Sequence, residues 1–179
     1  MLLLGTAIAL KGRGVSARRD VWPLETQVAR AAWSWLVPAE VRQWENPVSG
    51  DVARRSGLEH WADHCAVCHA NDGSGNAPVG RNLFPPAPDM RLPATQDRTD
   101  GELFYAIEQG IPLTGMPAWG NGTEAGERAS WELVLFIRHL PNLTAGEQAE
   151  MERFNPRSRA DEERERAIDE FLKGSGGSE

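Results

Sequence analysis

The sequence predicts an all-α fold, and three observations carry the prediction. A hydroxyl residue stands three places before an acid at Ser56–Glu59, Thr99–Glu102 and Thr144–Glu147. In that pattern the hydroxyl accepts from one free amide at a helix start and the carboxylate accepts from another. The stretch "SWELVLFIRHLP" sets Leu133, Phe136, Ile137 and Leu140 at helical spacing and stops at Pro141. Almost nothing in the chain alternates apolar and polar residues as a half-buried strand would.

Taken in order, residues 1–10 ("MLLLGTAIAL") are apolar and run into Lys11, Arg13, Arg18 and Arg19. The run is shorter than the roughly 20 residues a spanning helix needs. A signal peptide would carry its positive charge before the apolar stretch, not after it. Segment 1–19 is therefore read either as the end of a longer membrane anchor or as a short apolar end. Residues 20–50 form a tryptophan-rich helical extension. Pro23 and Pro38 each suit the first turn of a helix, and Leu24, Val28, Ala31 and Trp35 draw an apolar stripe along the first of the two.

The main domain is placed at 51–143, with helices near 51–66, 100–109 and 124–140. Gly110 and Pro112 close the second of these. Thr123, with Gly126 where an acid would stand, is a looser cap for the third. Residues 71–98, rich in Gly, Pro, Asn and Asp, read as one long loop. A loop of that length inside a compact domain normally has a task such as wrapping a ligand. Residues 144–179 read as an acidic helical tail, with a helix near 145–154 and a charged one after it supported by Glu162–Arg166.

Composition narrows the function classes. The chain of 179 residues is 40% hydrophobic and 25% charged, as a globular protein is, with a net charge of −7. No basic stripe interleaves with aromatics, which excludes nucleic acid as the expected partner. The acidity steers such a protein toward basic docking surfaces, weakly at high salt. Four of the seven tryptophans (Trp22, Trp33, Trp35, Trp44) precede residue 50. Tryptophan favours interfaces and membrane boundaries.

Both cysteines of the chain lie in one window, "HWADHCAVCHANDGSGN", two residues apart and followed by a histidine. A redox dithiol of this spacing needs a strand before it, and here the motif ends a helix. A structural zinc site needs four ligands; His60, His64 and His69 are near, but no further cysteine exists and His139 is remote. The remaining chemistry is C-x-x-C-H attachment of c-type haem. Cys65 and Cys68 would take two neighbouring vinyl groups as thioethers, and His69 would be carried under the iron. For the second axial position the candidates are Met90, Met116, Met151 and His139. Met116 sits in "IPLTGMPAWGNG", a Gly/Pro-bounded turn between helices, and is the expected sixth ligand. His139 is read as a helix C-terminal cation beside the dipole.

"CAVCHANDGSG", "GRNLFPPAPDM", "GIPLTGMPAWG" and "WELVLFIRHLP" together resemble a class I monohaem bacterial cytochrome c over about residues 51–143. The resemblance implies a small cytochrome c fold around one covalent haem c, its first and last core helices crossing near the haem edge. Gly57, Trp61 and Cys65 share one helix face, so Gly57 would admit a close crossing and Trp61 would pack on Leu133 and Phe136. Where relatives carry a proline whose carbonyl fixes the proximal imidazole, this chain has Arg81; its carbonyl takes that role in this reading. Leu83 would be the apolar cover, with Pro117 and Trp119 completing the burial.

With both axial positions filled, the iron is left with one-electron exchange, and a thioether ligand raises its potential relative to two histidines. The expected function is an electron carrier that works with redox partner proteins in a respiratory or photosynthetic electron-transfer chain, either docked on a membrane electron-transfer complex or tethered through the N-terminus. The alternative is a haem-based ligand sensor or enzyme with a labile Met116. The resemblance places the chain on the periplasmic side of a bacterial membrane. The four basic residues after the apolar run point the other way under the positive-inside rule.

Overall fold

In the computed structural model, the described residues are 16, 21–157 and 159–174, and all regular structure among them is helical. Segment 1–19, apart from Ser16, lies outside them. The elements are α1 (Pro23–Leu36), a 3-10 turn (Ala39–Gln43), α2 (Asp51–His60), a π-helical turn (Trp61–Cys65) and α3 (Ala66–His69). There follow α4 (Pro78–Arg81), α5 (Pro93–Gln96), α6 (Asp100–Gln109), α7 (Glu124–His139), a 3-10 turn (Leu140–Asn142), α8 (Ala145–Met151) and α9 (Arg159–Gly174).

The capping boxes at Thr99–Glu102 and Thr144–Glu147 form with both reciprocal bonds, and Thr123 caps α7 through the Gly126 amide. Ser56 does not start a helix. It sits inside α2, which begins at Asp51 after a Gly50 cap, and its hydroxyl donates to Glu132 Oε2 at 2.6 Å. Pro38 introduces a 3-10 turn in place of a second α-helix.

The core forms where α2 crosses α7. A Cβ on Gly57 would stand 2.1 Å from the Glu132 carbonyl oxygen and 3.0 Å from Phe136 Cβ, so only glycine admits this approach. Leu58, Trp61, Leu133, Phe136 and Ile137 are buried around it, joined by Leu103, Phe104 and Ile107 of α6. Met151 of α8 is also fully buried in this core, and Phe154 packs beside it. The first part of the acidic segment 144–179 therefore packs on the core through Met151 and Phe154.

Glu147 ties the crossing at its edge. It accepts from Arg54 Nη1 of α2 at 2.6 Å and lies 3.0 Å from His139 Nε2 of α7. Burial opposes its ionisation, but the Thr144 amide, His139, the Thr144 hydroxyl and Arg54 outweigh that cost and bring the carboxyl down to about 2.

On the other flank, residues 37–46 are docked closely. Val37 and Val41 are buried, Trp44 meets Phe104 edge-on at 6.0 Å, and Arg42 pairs with Glu102 at 3.0 Å. Asn46 Nδ2 donates to the Trp131 carbonyl at 3.0 Å. Before them α1 touches the domain through Trp33, whose ring lies 6.1 Å from Tyr105 and under the Arg98 guanidinium.

A candidate haem-binding site

The thiols and the imidazole of the C-x-x-C-H stretch arrive together because α2 does not end at His60. The Ala66 amide donates to the Trp61 carbonyl, five residues back, which makes the π-helical turn, and α3 then carries Cys68 and His69. The chain leaves this helix at Ala70, where φ is 61° and ψ 159°, a conformation glycine adopts far more readily. Trp61, 1% exposed, holds that exit: its Nε1 donates to the Ala70 carbonyl at 3.1 Å, and its ring lies 5.6 Å from the His69 ring.

Cys65 and Cys68 form no disulfide. Burial, and then the neighbouring Cys68, push the Cys65 thiol up to about 12, and burial also raises Cys68. Burial drops the His69 imidazole to about 4, so it stays neutral with a lone pair to offer. One of its ring nitrogens, Nδ1, is buried without a hydrogen-bond partner among the described residues. A buried, neutral imidazole beside two unpaired thiols fits a group bound at all three residues. The zinc alternative lacks a third ligand, since no cluster of three or more His, Cys, Asp or Glu side chains gathers among the described residues.

The orphaned Nδ1 also corrects the expectation for Arg81, whose carbonyl does not accept from it. α4 docks on α3 through Gly80, where a Cβ would stand 1.9 Å from the Cys68 carbonyl oxygen. Arg81, one residue on, is turned to solvent and its Nη1 donates to Asn76 Oδ1 at 2.8 Å.

The four candidates for the second axial position separate. His139 is held by Glu147, and Met151 fills the core. Met90 packs against the core from the 71–98 loop, with its amide donating to the Gly73 carbonyl at 2.8 Å. Met116 stays half-buried on its own loop, which its backbone pins: its amide donates to Thr114 Oγ1 at 3.1 Å and its carbonyl accepts from Ile111 at 3.1 Å. Leu83 reaches this loop, for a Cβ on Gly115 would lie 2.6 Å from Leu83 Cδ2. Pro117 and Trp119 are exposed rather than burying the site; Trp119 is at the rim, 40% exposed, and meets His64 edge-on at 5.7 Å. Contacts thus run from Cys68 to α4, from Leu83 to the Met116 loop, and from Trp119 back to His64 beside Cys65.

The 71–98 loop is not slack. Arg91 clamps it, with Nη1 3.1 Å from Asp72 Oδ2 and Nη2 2.7 Å from Asp89 Oδ2. The sequence reading missed this clamp and the placement of His64. For His64 a signal existed: His60 and His64 stand one helical turn apart, and their rings meet at 5.0 Å.

The model of the family described as cytochrome C oxidase, cbb3-type, subunit III matches residues 52–137. These residues are a class I c-type cytochrome domain. Its cofactor is covalently attached haem c, the group its thiols and imidazole suit. The chain is also similar to the cbb3-type cytochrome c oxidase subunit FixPc of Rhizobium leguminosarum bv. viciae, 30% identical over 120 residues. That alignment covers 66% of this chain and 36% of the relative, so the chain spans about a third of that protein's length. No helix among the described residues is long and apolar enough to cross a membrane.

Proposed function

We propose that the chain carries single electrons as a membrane-associated component of a respiratory electron-transfer chain, on the periplasmic side. In this reading Cys65 and Cys68 would hold haem c as thioethers, and His69 and Met116 would bind its iron. The group supplies a one-electron iron couple. Everything else falls to the chain's own side chains. Burial keeps His69 unprotonated, and Trp61 holds its ring and the backbone just after it. The paired backbone bonds of Met116 keep a soft thioether in a fixed loop, so little has to move when charge arrives. The printed role of the Rhizobium relative, a subunit of a cbb3-type oxidase, supports a respiratory oxidase as the assembly served.

The observation that carries the reading is the pair of unbonded thiols beside a buried, neutral imidazole. The test is a reduced-minus-oxidised spectrum of the purified holoprotein after acid extraction of loose haem, followed by carbon monoxide. A sharp c-type band that survives extraction and does not shift with carbon monoxide is expected. Loss of the band overturns covalent attachment. A full shift assigns the chain to ligand sensing or catalysis with a labile Met116.

A further inference from the structure

The apolar stripe of α1 points away from the protein. Trp33 is the residue by which this helix packs on Tyr105 and Arg98. At about 100° per residue, Leu24, Val28, Ala31 and Trp35 fall on the side opposite Trp33. Their exposures agree: Leu24 is 64%, Val28 60% and Trp35 85% exposed. A helix packed as an ordinary cap would present this stripe to the core and its polar face to water. Here the order is reversed.

We infer that α1 lies in the interface of an anionic phospholipid membrane with the Leu24, Val28 and Trp35 face buried among the headgroups and upper acyl chains. Three features favour a lipid surface over other occupants. Lys11, Arg13, Arg18, Arg19 and Arg30 outnumber Asp20 and Glu25 in this stretch, within a chain of net charge −7. Basic residues that lie close in sequence to an apolar helical face suit anionic headgroups, and an exposed tryptophan suits that depth. The apolar residues 1–10 belong to the same end of the chain. A further exposed apolar pair, Ile168 and Phe171, lies on α9 among Asp169, Glu170 and further acids, and an anionic surface repels it. Lying flat through α1 and not through α9 would give the cytochrome domain a fixed orientation on the membrane. The inference rests on the proposed membrane association and adds which face makes it.

The test is partition of the full-length holoprotein onto vesicles of phosphatidylcholine containing a third phosphatidylglycerol. A Leu24→Ser/Val28→Ser/Trp35→Ser variant should lose at least about tenfold in partition, with helix content and haem spectrum unchanged, because apolar area drives interfacial binding. As a measurement on the native face, brominated lipid should quench a component of tryptophan emission that Trp35→Phe removes. Equal partition of the triple variant, or no Trp35 quenching, overturns the inference while membrane association stands. A native chain that leaves every vesicle unbound overturns both. A native dimer in sedimentation that the triple variant dissociates shows that a second copy covers the face, and overturns the lipid assignment.

Discussion

At the α2–α7 crossing the backbones touch, the side chains are buried, and charges close the edge through Arg54, Glu147 and His139. Across the domain, the 111–119 loop carries no charged residue, exposes Leu113 completely at φ 62°, and leaves Pro117 and Trp119 at the surface. The crossing is held by packing and ion pairs; the loop is held by backbone bonds around Met116. Stability and chemistry are thereby assigned to separate regions, and substitutions in the two should report on different quantities.

The largest effect is expected at the crossing. Gly57→Leu drives a side chain into the Glu132 carbonyl and should cost about 3 kcal/mol or more in urea unfolding. A smaller loss would mean that α7 can move aside. At the loop, Met116→His should lower the midpoint potential on the order of 0.1 V, about 2 kcal/mol for one electron, while changing unfolding free energy little. An unchanged midpoint removes Met116 from the iron.

Glu147→Gln returns to the crossing and should cost about 1–2 kcal/mol at neutral pH, allowing for its partial exposure. The carboxyl is depressed in the folded protein, so its contribution is present above the ordinary value of 4.5 and disappears as pH falls toward about 2. The native and variant stability curves should therefore converge over that window; a constant gap would place the loss in packing. Ala70→Gly, beside the thiols, should raise stability by about 1 kcal/mol in thermal unfolding, because it relieves the φ of 61°.

The sequence made legible what depends on local spacing. Cys65, Cys68 and His69 are neighbours by chain chemistry alone, and the Thr99 and Thr144 caps are likewise three-residue events. The helix expected near 51–66 does start at Asp51, but the Ser56–Glu59 signal did not mark it, because its cap, Gly50, makes no side-chain bond that composition can signal. Periodicity showed the stripe on α1 but not its direction, which Trp33 decides by packing on residues 65 and 72 positions away. The Arg81 carbonyl failed for a similar reason: Gly80 sets how α4 meets α3, and that contact is tertiary. Met116 stood out from the other methionines only because its loop is rigid by composition.

The five-residue bond at Trp61 makes the helix before the thiols act as a gearbox. It lets Gly57 keep its phase against α7 while the residues after Cys65 adopt another, so packing and chemistry are timed independently along one rod. Removing a single residue between Trp61 and Cys65 would therefore turn rather than shorten the rod. Every atom beyond it would swing by about 100°, and His69 would leave the Trp61 ring although neither had been touched.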